Sequence, residues 1–173
     1  MSGLSQKPMP KSGLPHSYHA SRGYNDRSLR KIVLACPYFV PQQILNDGSW
    51  PHPSRLPLGG GWIGTCCAAD LHIAPSPTLL KDFCNLGYAV ACPHLPAERE
   101  WDAVRFSVAS AGPEQVTFRY VCELGHAPIE SGKLSFDLRR ETWVNAHSDS
   151  RVRRLANCYL ETHRAQSTRP FIK

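Results

Sequence analysis

Apolar and polar residues alternate most regularly in the second half of the chain. Val104, Phe106 and Val108 alternate with Arg105, Ser107 and Ala109, and Val116, Phe118, Tyr120 and Cys122 alternate with Thr117, Arg119 and Val121. A period of two places one set on a buried face, so both runs read as strands. The segment 110–115, SAGPEQ, supplies a hairpin connection. Leu134, Phe136 and Leu138 add a third strand facing the same way, enough for an antiparallel sheet. From Ser148 the period lengthens: Val152, Leu155, Ala156 and Tyr159 fall three to four apart, with Leu160 widening the stripe. That predicts an amphipathic helix, with Ser148 or Ser150 as the cap and Asp149 in the first turn.

The first half is less regular. The run 31–36, KIVLAC, reads as a buried strand or an extended entry, and Pro37, Pro41 and Gly48 stop regular structure after it. Residues 47–65 read as a long irregular loop. Ser76 and Pro77 open a short helix that carries Cys84 in its last turn and exits at Gly87. The expected fold class is α+β: a small antiparallel sheet with a C-terminal helix, packed against a loop-rich, cysteine-containing half. The expected division is a flexible basic tail over 1–30, one metal-binding α+β domain over 31–147, and a basic C-terminal helix and tail over 148–173.

Composition adds charge asymmetry. The formal charge of +6 resides at the ends: residues 1–31 carry +5 and 148–173 carry +4, while 32–147 carry −3. Basic ends suit an acidic protein surface, a redox partner or larger complex above all. Nucleic acid is the rival partner, with Tyr18, Tyr24 and Tyr159 as stacking groups. No apolar run approaches the roughly 20 residues of a transmembrane helix, and no secretory apolar segment opens the chain. The expected location is cytoplasmic, although the basic, serine-bearing start is also compatible with organellar import.

The seven cysteines, at 36, 66, 67, 84, 92, 122 and 158, carry the candidate chemistry. An odd number without an export signal argues against a disulfide framework. Cys36-Pro37 and Cys92-Pro93 repeat one pair, with Cys66-Cys67 and Cys84 between them. No C-x-x-C occurs, which weakens a zinc ribbon. Proline directly after a cysteine resembles ferredoxin cluster loops, although the dense ferredoxin spacing is absent and no family assignment follows. Proline lacks an N–H and has a fixed φ, so it stiffens a ligand loop.

These features make Cys36, Cys66, Cys84 and Cys92 the expected ligands of a [4Fe-4S] cluster, with zinc as the alternative cofactor. Adjacent side chains point apart in extended structure, so only one of Cys66 and Cys67 is expected to bind, and Cys66, which follows Gly64-Thr65, is preferred. The alternates are Cys67, Cys122 with His126 in a C-x₃-H spacing, and His94 as a ligand or a donor to one. Trp62 and Tyr88 are candidate shields, and Trp50 and Trp62 otherwise supply core. Glu98, Glu100 and Asp102 read as a solvated turn. Gly59-Gly60-Gly61 lacks the GK[ST] of a phosphate loop, and G-x-S-x-G and H-E-x-x-H are absent. The expected role is electron transfer or redox sensing by a protein that is not a stand-alone enzyme; the alternatives are a structural zinc-binding interaction module and a nucleic-acid-binding module that uses the basic ends.

Overall fold

The computed structural model describes residues 35–45, 47–50, 52–86 and 92–168. The expected tail over 1–30, the run 31–34, Gly87 and Tyr88 lie outside the described residues. The protein is a small α+β domain with two antiparallel sheets and a C-terminal helix. Among the described residues, no helix is long and apolar enough to cross a membrane.

The larger sheet has the order β3-β4-β5-β6, with β3 at Ala103–Ala111, β4 at Gln115–Leu124, β5 at Ala127–Asp137 and β6 at Thr142–Asn145. Val116, Phe118, Tyr120 and Cys122 of β4 all point inward and are buried, as their alternation predicts. Val108 is 42% exposed instead, because the β3–β4 register shifts just after it. The third strand begins at Ala127, earlier than its apolar residues suggest, and β6 is a further strand that the pattern does not announce.

The second sheet corrects the reading of 37–65. Phe39–Leu45 (β1) pairs with Gly61–Cys66 (β2), so a stretch read as irregular is a hairpin with a long connection. Pro41 lies inside β1 at a register shift, where the missing N–H is tolerated. Gly64 faces it, and a Cβ there would stand 2.0 Å from the Val40 carbonyl oxygen. Glycine is required by this close approach of two backbones.

The helix α2 spans Ser150–Ser167. Its cap is Asp149, whose carboxylate accepts from the Arg151 amide at 2.7 Å, rather than either neighbouring serine. Val152, Leu155, Ala156, Leu160 and Thr162 form its buried stripe. Tyr159 packs edge-on to Phe118 and stacked on Phe106, at centroid distances of 5.0 and 5.6 Å. That ring belongs to the sheet–helix contact and is not presented as a stacking platform. One core cluster joins Phe39 and Trp62 of the small sheet, Val104 and Cys122 of the large sheet, and Val152, Leu155 and Cys158 of α2. Asp102 belongs to this interior as well. It is 1% exposed, paired with Arg99 and bonded to the Gly125 amide at 2.7 Å, so the acidic turn is not simply solvated.

Candidate metal centre

The sequence Cys-Pro-aromatic-apolar occurs twice and builds the same turn twice. In 36–39 the Phe39 amide donates to the Cys36 carbonyl at 3.3 Å, and in 92–95 the Leu95 amide donates to the Cys92 carbonyl at 3.1 Å. Proline suits the second position of such a turn, where its φ is already set. The first turn is anchored by Ala35, which exchanges backbone hydrogen bonds with Val104 of β3 at 2.6 and 2.9 Å. Both turns present their residues to one narrow cavity, with Cys36, Tyr38 and Phe39 from one and Cys92, His94 and Leu95 from the other.

Cys66 reaches this cavity from the end of β2. Its amide and carbonyl are both bonded to Ile73, at 2.7 and 3.0 Å, which fixes the strand end. Cys67 does not line the cavity. Its Sγ lies 3.5 Å from His72 Nδ1 on the exposed side, as the alternation of adjacent side chains requires.

Cys84 arrives by a different device. Ser76 caps the helix α1, Pro77–Leu79, and its Oγ accepts from the Leu79 amide at 3.3 Å. The chain then widens into a π-helical turn over Leu80–Cys84 and closes with Asn85 N–H on the Leu80 carbonyl at 3.1 Å. Asn85 is 4% exposed and clamps this turn to β2. Its Oδ1 accepts from the Trp62 amide at 2.7 Å, and its Nδ2 donates to the Trp62 carbonyl at 2.9 Å. The residue next to Cys84 is thereby tied to the strand that carries Cys66. π-turns are uncommon and recur at functional sites.

Four thiols from four separate segments thus line one cavity whose walls carry no carboxylate. Burial pushes Cys36 up to about 12, against the Tyr38 and Phe39 amides that point at its sulfur and pull it down. Burial likewise pushes Cys84 to about 12, reinforced by Cys36, Cys66 and Cys92. Cys66 is raised by burial too, opposed by the Ala68 amide. No basic side chain is among the groups acting on these three thiols, so as bare groups they stay protonated and pack as small apolar residues. A bound cation would supply the missing charge and displace the protons. The donor set therefore fits a thiolate-loving metal group, and the amides aimed at Cys36 and Cys66 are the donors that such sulfurs use. Among the described residues, no ready-made group of three or more His, Cys, Asp or Glu able to hold a metal ion is present. The cavity they line has a volume of about 10 Å³, so a metal group would have to spread the four thiols apart.

The alternates fall elsewhere. Cys122 is wholly buried in the sheet core, and His126 is exposed in the β4–β5 turn with φ of 69°. His94 does line the cavity, beside Cys92. Trp62 is core rather than cavity wall, 2% exposed, with its indole N–H unpartnered among the described residues. Sequence reasoning missed Tyr38, Phe83, Leu95 and Asn85. The repeated Cys-Pro-aromatic-apolar pattern could have pointed to the first and third, whereas nothing local marks Asn85. Tyr38 continues outward to Arg151, whose guanidinium lies 5.8 Å over its ring and 4.2 Å over Trp101, and which is held by Asp149 and Glu100.

No protein-family model matches the chain, and no curated protein or solved structure matches it either.

Proposed function

We propose that this protein binds a [4Fe-4S] cluster through Cys36, Cys66, Cys84 and Cys92 and acts in electron transfer or redox sensing. The carrying observation is the convergence of these four thiols, from segments up to 56 residues apart in sequence, on one carboxylate-free cavity. A single zinc would need the sulfurs about 3.8 Å from one another, given Zn–S bonds of about 2.3 Å in a tetrahedron, and no such ready-made group is present among the described residues. A four-iron cluster takes one thiolate per iron, which suits ligands delivered by four separate segments. When bound, the cluster supplies a one-electron couple.

The chain's own residues do the rest. Pro37 and Pro93 stiffen the two outer ligand turns, and the Tyr38, Phe39 and Ala68 amides donate toward sulfur. Phe39, Phe83 and Leu95 keep water from the thiols. With every iron capped by cysteine, a protein redox partner is a better fit than a small substrate.

Anaerobic purification tests the reading. A brown protein containing iron and acid-labile sulfide is the expected result. Serine at position 36, 66, 84 or 92 should abolish or destabilise the chromophore, and Cys67→Ser should leave it. A colourless protein with one tightly held zinc and no sulfide would overturn the cluster and leave the zinc alternative.

A further inference from the structure

The four-stranded sheet buries one face against α2 and leaves the other to solvent, and that outer face has an unusual makeup. Ser107, Arg119 and Lys133 are exposed and stand directly opposite one another across β3, β4 and β5. Thr117 and Ser135 form the neighbouring row and hydrogen-bond to each other at 3.0 Å. Ser131 lies in the row on the other side. Two cations directly opposite in a sheet repel and cost stability. Neither side chain has an ion-pair or hydrogen-bond partner among the described residues. The carboxylates nearby are occupied: Arg105 holds Glu123 at 3.0 Å, and Asp137 accepts from the Arg139 and Arg140 amides.

From this face we infer a docking surface for the phosphate backbone of single-stranded nucleic acid, centred on Arg119 and Lys133. Unneutralised cations among hydroxyl donors are the chemistry that phosphate oxygens recognise, and an anion would relieve the repulsion between the two cations. Strands lie about 4.8 Å apart, so the row from Ser107 to Lys133 spans about 10 Å. That length suits successive phosphates of a strand better than one small anion. The face carries no aromatic residue in these rows, so binding would rest on phosphate contacts, which carry no base sequence, without help from base stacking. This surface is distinct from the basic ends and from the cysteine cavity, and the inference stands whichever metal the cavity takes.

The test is fluorescence anisotropy of the full-length protein with a labelled oligouridylate across a salt series. R119E/K133E should weaken binding at least tenfold. R119Q/K133Q should lower the salt slope by about 1.4, from about 0.7 per phosphate contact on a single strand. R119E alone should raise the melting temperature, since it replaces a repulsion by an attraction, so lost binding is separable from lost fold. A variant with the basic residues of 1–31 changed to glutamine should retain the part of the slope that Arg119 and Lys133 supply. The inference is overturned if R119E/K133E binds like the parent, if the tail variant loses all salt-dependent binding, or if inorganic phosphate competes as well as the oligonucleotide. It is also overturned if the protein binds phosphatidylserine vesicles and not the oligonucleotide.

Discussion

At the level of single residues, Cys66 and Cys67 show how one peptide unit separates two fates. The strand period sends Cys66 into the cavity and Cys67 outward toward His72. Serine at 66 and at 67 should therefore differ sharply in metal content, measured as iron or zinc per chain. The core thiols make a second residue-level prediction. Burial pushes Cys122 and Cys158 from 9.0 up to about 12. Above pH 9 the unfolded chain releases these protons while the folded chain holds them, so stability falls as pH rises from about 9 toward 12. Urea denaturation at pH 8 and pH 10.5 should show this loss, and Cys158→Ala should show less of it. Both cysteines were legible as packing residues, because Cys122 continues an apolar alternation and Cys158 lies in the helix beside Tyr159.

Individual elements owe their placement to short-range devices of unequal visibility. The capped start at Ser76-Pro77 is written in the sequence, and so is the apolar stripe of α2. The choice of Asp149 over its flanking serines is not, because it depends on where the chain leaves β6 and on Arg151, whose hydrogen bonds hold the Asp149 carboxyl below its ordinary range. Asp149→Ala should cost about 1 kcal/mol by chemical denaturation, the ordinary worth of a cap. The hairpin β1–β2 was hidden by Pro41 and by glycines at 59–61 and 64, which read as loop until the facing strand is known. Gly64→Ala should destabilise the fold by about 2 kcal/mol, as overpacking against a backbone does. Asn85→Ala leaves the Trp62 amide and carbonyl without their side-chain partner in a dry interior. It should cost about 3 kcal/mol, at about 1–3 kcal/mol per buried polar group left unpaired. It should also loosen metal retention, because it frees the Cys84 turn from the strand of Cys66. Equal metal content in parent and variant would refute that link.

At the scale of the whole molecule, a shared core fixes the loops that carry the cavity's thiols. Cys36 and Cys84 belong to the same buried cluster as Val104 of the large sheet and Val152 of α2, so the cavity is built into the wall of the core. The C-terminal helix contributes to this interior, and Arg151 links its first turn to Tyr38 at the cavity. By itself the sequence determined the elements whose chemistry is local. Strands with one buried face alternate, a helix with one buried side repeats at 3.6, and proline after cysteine makes a stiff turn. It also determined the supply of soft side chains, seven thiols in one short chain. Only the tertiary structure decided that β1 and β2 pair, that Asn85 reaches across 23 residues to Trp62, and that four of the seven thiols share one cavity. Those are contacts between residues far apart in the chain. Their free energy comes from burial and from polar groups satisfied across the fold, and it leaves no periodic trace in the residues that make them.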